Sequence, residues 1–341
     1  VKRPTIADVA RRAGVSKGAV SYALNGQPGV SESTRRRVLA IAEELGWNPN
    51  AAARALSGAA SRTIGMALRR PARILGAEPF FMELISGVEA ELSALSYALT
   101  LQVVADQAAE VALYRRWWNE RRVDGVLVCD LRVDDPRPRL LADLALPTVV
   151  VGEPGEDVTQ VSVWTDDPAA LVEAVEYLTT LGHRRVARVG GLPDLRHTAT
   201  RTAAFEQVCR RLGLEPAVTI PTDYSGEEGA RATRRLLSSP RRPTAILYDN
   251  DVMAIAGLSV AHEMGLAVPG DVSLVAWDDS VLCQLVHPAL TALSRDIPAY
   301  GALAARQLLA IIAGRPAQSV RDTARLTPRG STGPPRRPVA D

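Results

Sequence analysis

From Thr63 onward the chain alternates strand-like and helical runs, and this alternation constrains the fold more than any other feature. Strand-like runs stand at 63–68, 99–105, 123–129, 147–151, 185–189, 218–220, 244–248 and 272–277. Helical periodicity stands near 80–97, 110–121, 167–181, 201–212, 226–237, 251–264 and 298–312. Parallel neighbours need a crossover long enough for a helix, so such alternation predicts parallel sheets with helices on both faces. About 270 residues exceed what one small sheet needs. The expectation is two doubly wound lobes side by side, with a small molecule bound between them beyond the carboxyl ends of the strands. Aromatics are only 4% of the chain, so the cores must be aliphatic.

The first 62 residues have a different texture. Thr5-Ile6-Ala7-Asp8 has the form of a capping box, and Ile6, Val9 and Ala10 recur as one apolar stripe. Gly14 follows, where a chain leaving a helix takes positive φ. Ser16 can cap a second helix running to about Asn25, and Asn25-Gly26 and Pro28-Gly29 mark turns. Ser31 caps a third helix, whose inward face is Val38, Ile41, Ala42 and Leu45 and which Gly46 ends. The result is an all-α head of two helices joined by a tight glycine turn, with a third packed behind. A further two-turn segment, Ala51 to Leu56, favours helix through its alanines but is too short to stand alone in water.

Charge separates the two regions. Residues 1–62 hold ten basic and four acidic side chains, whereas the remaining 279 hold thirty and thirty-four. A basic head on a mildly acidic body points to a polyanion partner for the head. Only Lys2 and Lys17 are lysines among 40 cationic side chains, a bias that lowers the meaning of any arginine run.

Enzyme chemistry finds little footing. Gly14-Val15-Ser16-Lys17-Gly18 matches a hydrolase nucleophile pattern, but that elbow requires a strand before the serine, and here a helix precedes it. No phosphate-binding glycine motif is present, and His183, His197, His262 and His287 are not spaced as metal ligands. Cys129, Cys209 and Cys283 are scattered, against a disulfide framework or zinc site. No catalytic residue, cofactor or metal is expected. No apolar run reaches the roughly 18 residues of a membrane span, and the start has no apolar signal core, so the expectation is a cytoplasmic protein without membrane contact.

A helix-turn-helix places its second helix in the major groove. Lys17, Gly18, Ser21 and Tyr22 share one face of that helix, and Lys17 can donate to guanine. Ser16, Asn25, Ser31 and Thr34 suit phosphates, alongside free helix-terminal amides. The alternative for these polar residues is a three-helix bundle whose outer face merely meets water.

Thr5-Ile6-Ala7-Asp8-Val9-Ala10, Ala13-Gly14-Val15-Ser16, Val20-Ser21, Leu24-Asn25 and Val30-Ser31 resemble the head of the lactose-repressor (LacI/GalR) family of bacterial transcription regulators. Gly46-Trp47-Asn48-Pro49-Asn50 with Ala53-Arg54-Ala55-Leu56 is similar to that family's hinge helix. In the body, Asp124-Gly125-Val126, Leu181-Gly182-His183-Arg184-Arg185-Val186, Asn250-Asp251-Val252-Met253-Ala254, Trp277-Asp278-Asp279 and Pro288-Ala289-Leu290-Thr291 continue the resemblance to about residue 332.

The resemblance implies a homodimeric repressor on an inverted-repeat operator in double-stranded DNA. It implies a helix-turn-helix domain at 1–47, a hinge helix and linker at 48–62, and a periplasmic-binding-protein-like body at 63–332. The N-lobe would hold about 63–163 and 294–322, the C-lobe about 164–293 and 323–332, and 333–341 would be a disordered tail. Thr5, Ser16, Lys17, Gly18, Ser21, Tyr22, Asn25, Ser31, Thr34, Asn50, Ala53 and Leu56 would contact DNA. Leu56 would be a wedge that opens a base step and bends the duplex, or else would pack against its own domain. Arg201, Asn250 and Asp278 would bind a small-molecule effector, read as a sugar because its hydroxyls both donate and accept. Phe80 and Phe81 would stack on that ligand or belong to the core, and Trp277 would add an apolar wall. Arg201 and Asp278 could instead pair with each other across the lobes.

Some positions depart from the family. Gly18 has no side chain for base reading and Tyr22 replaces the frequent Arg or His, so the operator sequence does not carry over. Gly152 stands where some sugar-responsive members have a ligand Asp. The rival readings are a sugar-binding transport receptor of the same architecture and an enzyme on the same frame.

Overall fold

The computed structural model describes residues 4–24, 26–47, 60–155 and 158–336. The chain divides into two compact units, Val1–Arg62 with Asn119–Arg122, and Thr63–Trp118 with Val123–Asp341. The expected contacts Asn25, Asn50, Ala53 and Leu56, and with them the hinge helix, lie outside the described residues.

The small unit holds α1 (Ile6–Ala13), α2 (Lys17–Leu24) and α3 (Glu32–Glu44). Thr5 and Asp8 close the expected box, the Thr5 amide and hydroxyl donating to the Asp8 carboxylate at 2.9 and 2.6 Å. Gly14 turns the chain at φ 66°, ψ 34°, a conformation that costs a side-chain-bearing residue and not glycine. Val9, Ala10 and Ala13 of α1 pack with Val20 and Ala23 of α2 and Val38 and Ala42 of α3. Arg12 ties α1 to α3 through Glu44 at 2.5 Å.

The body contains two six-stranded sheets. Its strands are β1 (Thr63–Leu68), β2 (Ala98–Val103), β3 (Gly125–Cys129), β4 (Thr148–Val151), β5 (Val161–Thr165), β6 (Val186–Gly190), β7 (Val218–Pro221), β8 (Ala245–Tyr248), β9 (Ser273–Trp277), β10 (Thr291–Ser294), β11 (Val320–Asp322) and β12 (Arg325–Thr327). The first sheet runs β11-β5-β4-β3-β1-β2 and the second β12-β10-β9-β8-β6-β7. Both repeat one doubly wound order, with a switch point between the first and third strands of each lobe. Among the described residues all ladders are parallel except β10 with β12. The chain passes between lobes three times, after β5, β10 and β11.

The helices are α4 (Ala72–Leu75), α5 (Pro79–Ala94), α6 (Gln107–Asn119), α7 (Arg137–Asp143), α8 (Asp167–Thr180), α9 (Arg196–Arg211), α10 (Gly226–Leu237), α11 (Asp251–Glu263), α12 (Val281–Leu285) and α13 (Ile297–Ile312). Helices α5 and α13 cross almost backbone to backbone. A Cβ on Gly87 would lie 1.8 Å from the Pro298 carbonyl oxygen, and one on Gly301 2.2 Å from that of Leu84.

The structure differs from the sequence reading in four ways. Strands β5, β10, β11 and β12 stand outside the runs expected from the sequence; all are at most five residues long, and the last two have two polar residues in three. Helices α4, α7 and α12 span seven residues or fewer, too little for a period to show. Helix α9 begins at Arg196, not 201, because its first turn, Arg196-His197-Thr198, is polar, and Arg196 and His197 line the cleft. The tail is not free from residue 333. The Gly333 carbonyl accepts from His183 Nε2 at 3.0 Å or the Ser273 hydroxyl at 3.1 Å, and Arg336 meets Asp271 at 3.2 Å.

Candidate functional site

In the head, α2 buries Val20 and Ala23 and exposes Lys17, Gly18 and Tyr22, with Ser21 half-buried. The four expected base-facing residues therefore share the side away from the core. Ser16 caps the helix, accepting from the Ala19 amide at 3.1 Å. Ser31 caps α3, accepting from the Thr34 amide at 3.3 Å, while the two hydroxyls lie 2.9 Å apart. Arg35 reaches the Gln27 carbonyl at 2.8 Å and holds the intervening loop. Thr5, Ser16 and Ser31 are exposed, and Thr34 is half-buried. The arrangement offers capped helix starts to phosphates and one helix face to bases.

In the body, a cleft between the lobes is lined by residues just past the carboxyl ends of strands. Arg70 follows β1, Asp130 β3, Gly152 and Glu153 β4, Asp167 β5, Asp249 β8, Asp278 β9 and Arg295 β10. In a doubly wound sheet these ends open into the crevice, so successive loops deliver side chains to one place. Asp130 (φ 52°), Tyr224 (φ 71°) and Asp278 (φ 64°) all line it in the left-handed region, where backbone strain is tolerated only under tertiary constraint.

Ion pairs fill much of the cleft. Arg201 donates to Asp167 at 2.7 Å, Arg295 to Asp278 at 3.0 Å, and Arg70 to Asp130 at 2.7 Å. Arg188, wholly buried, takes both oxygens of Asp249 at 2.8 and 2.5 Å. About 80 Å³ of free space remains, below the roughly 300 Å³ at which small-molecule pockets usually begin.

Burial and partners set the protonation. Burial pushes Asp130 and Asp249 up, but Arg70 and Arg188 respectively, with their neighbours, outweigh it and hold both below the usual carboxylate range. For Asp167 burial wins over Arg201 and the carboxyl is raised. Glu78 is pushed by burial up to about 7, with Arg70 only partly offsetting it. Burial and then Arg201 bring His197 down to about 3, so its ring is neutral; Nε2 shares a hydrogen bond of 2.7 Å with the Tyr224 hydroxyl.

The expected effector residues are brought together only in part. Arg201, Asp278, Phe80 and Phe81 line the cleft. Phe81 also belongs to the N-lobe core, and Phe80 is half-buried with Arg295 over its ring at 5.1 Å. Asn250 stands behind the lining. Its side-chain oxygen caps α11 at the Met253 amide, 2.8 Å, and its nitrogen donates to the Tyr224 carbonyl at 3.0 Å. Trp277 is buried beneath Arg201, whose guanidinium lies 3.6 Å over the ring; it is a shelf for the arginine, not a wall of the cleft. Arg201 and Asp278 do not pair, each having another partner. Sequence reasoning missed Arg70, Glu78, Asp130, Asp167, Tyr224, Asp249 and Arg295. Most stand within two residues of a strand end, a signal that was present once the strands were placed.

Comparison with known proteins supplies the family. Residues 5–50 match bacterial regulatory proteins of the lacI family, and residues 175–332 match the periplasmic binding protein-like domain. The chain is 31% identical over 326 residues to the HTH-type transcriptional regulator CelR of Thermobifida fusca, covering 94% of this chain and 95% of that one. It resembles the solved CelR–cellobiose complex with a TM-score of 0.73 at 30% identity, covering 96% and 100% of the two chains. The lac repressor dimer bound to operator and an anti-inducer gives a TM-score of 0.82 at 25% identity, covering 97% and 100%. The basic helix-turn-helix head and the two repeated lobes thus have one explanation: this chain belongs to the lacI family of DNA-binding transcription regulators.

Proposed function

We propose that the chain is a dimeric repressor whose grip on an inverted-repeat operator is set by a sugar held between its lobes. The observation that carries the reading is the α2 helix, which turns Lys17, Gly18 and Tyr22 outward while Val20 and Ala23 anchor it. Lys17, Gly18, Ser21 and Tyr22 read bases, and Thr5, Ser16, Asn25, Ser31 and Thr34 hold phosphates. Asn50, Ala53 and Leu56 belong to a hinge segment at 48–62 that enters the minor groove, with Leu56 as the wedge. The DNA-binding domain is 1–47 and the effector-binding and dimerising body 63–332. The protein acts in the cytoplasm and carries out no catalysis.

Cellobiose in the CelR complex and operator DNA on the lac repressor dimer support the two ligand classes. The effector residues are Phe80, Phe81, Arg201 and Asp278, with Trp277 behind Arg201 and Asn250 behind Tyr224 and Glu78. Since the free space is only about 80 Å³, a sugar enters an arrangement in which the lobes or their ion pairs have moved. A ligand that binds one arrangement better shifts the population toward it, and DNA affinity changes by the same coupling free energy, typically about 1–3 kcal/mol. An electrophoretic shift assay of the full chain on its own upstream DNA, with and without cellobiose and other neutral sugars, tests this. A fivefold or larger change in DNA affinity is expected for at least one sugar; constant affinity across the series would refute control through the cleft.

A further inference from the structure

We infer that Arg70 and Glu78 are specificity-determining residues of the interlobe cleft, and that they select an uncharged polyhydroxy compound over its acidic or phosphorylated counterpart. The inference rests on the reading of the cleft as the effector site. Both residues are deeply buried, Arg70 at 5% and Glu78 at 7% exposure. Arg70 uses Nε on Asp130 and lays its guanidinium 4.6 Å over the Tyr224 ring, yet its Nη1 has no hydrogen-bond partner among the described residues. Glu78 accepts a long bond from Asn250 through Oε1, 3.4 Å, while its Oε2 has none.

One cleft therefore presents two unmet buried donors, Arg70 Nη1 and Arg196 Nε, and an unmet buried acceptor, Glu78 Oε2. Native structures rarely leave such groups without a role. A hydroxyl both donates and accepts, so vicinal hydroxyls can satisfy Glu78 Oε2 and Arg70 Nη1 together. A carboxylate or phosphate offers acceptors alone and would set its charge against the Glu78 carboxylate. Six carboxyls line the cleft against four guanidinium groups. Arg70, Arg201 and Arg295 each already face a carboxylate of their own, and among the described residues Arg196 alone of the four has none. Around Glu78 the facing charged groups are Arg70, Asp130 and Asp278, two acids to one base.

The test is calorimetric titration of the full-length protein at pH 8 with matched sets: cellobiose and cellobionate; glucose, glucuronate and glucose 6-phosphate; galactose, galacturonate and galactose 6-phosphate. At least one neutral sugar is expected to bind at least tenfold more tightly than its charged counterparts. Tighter or equal binding of an acid or phosphate ester overturns the inference and leaves the cleft standing as a sugar site. No binding by any member overturns both. Glu78→Gln keeps the shape and an acceptor while removing the charge. It should cut the neutral-to-acid affinity ratio at least tenfold; lower affinity for both classes at an unchanged ratio would assign Glu78 a structural role and overturn its part in selection.

Discussion

Arg201 donates to Asp167 at 2.7 Å while its guanidinium carbon lies over Trp277, 3.6 Å from the ring centre. The arginine is thereby held by charge on one side and by a π face on the other. Helix α9 supplies it, the first turn of α8 supplies the acid, and β9 supplies the shelf. All three come from the C-lobe, so this part of the cleft is held together within one lobe.

This pairing carries a stability prediction. Arg201→Met should cost about 3 kcal/mol, because Asp167 would remain buried without its hydrogen-bonded counter-charge, with only the charge of Arg295 left to act on it. Adding Asp167→Asn should recover much of the loss. Urea unfolding at one fixed protein concentration reads both variants and the double variant. Strictly additive losses would mean that the two side chains do not act as a pair.

Gly87 is predicted to tolerate no side chain. The Gly87→Ala Cβ would fall 1.8 Å from the Pro298 carbonyl oxygen, so α5 and α13 must separate. Overpacking of this kind costs about 1–3 kcal/mol or more. A melting temperature equal to wild type would show that the crossing has slack.

Glu78 imposes a pH dependence with a defined sign. Its carboxyl rises from an ordinary 4.5 to about 7 in the folded protein, burial being the main cause. Between these values the folded chain keeps a proton that the unfolded chain has released. The stabilising contribution is thus complete below 4.5 and disappears as pH climbs through 7. Glu78→Gln should flatten this part of the stability–pH curve; an identical slope in the variant would exclude Glu78 as its source.

Lys17→Ala should relax base preference at one operator position by about 1–3 kcal/mol, as loss of a guanine contact does. Binding measured over a set of single-base operator variants separates this from a phosphate role. Equal weakening on every operator, with a shallower salt dependence, would make Lys17 a phosphate contact.

Legibility differed sharply between the two sites. The head was readable because its signals are local. Thr5 and Asp8, Gly14, Ser16 and Ser31 each act within four residues of their own position, and caps and turns depend on little else. The lobes were readable because parallel strands force helical crossovers. What escaped were short elements such as β11, and the start of α9, where a polar turn facing the cleft breaks the apolar period.

The chain order of residues alone determined the helix-turn-helix and the two-lobe body, while the resemblance to a family placed Arg201 and Asp278 at the cleft. Only the folded chain decided which charges meet. Arg201 is 34 positions from Asp167, Arg70 is 60 from Asp130, and Asn250 is 172 from Glu78. Such pairings arise because separate strand ends open into one crevice, and electrostatic choice among several buried acids depends on ångström-scale distance and on solvent exclusion, neither of which leaves a periodic trace along the chain.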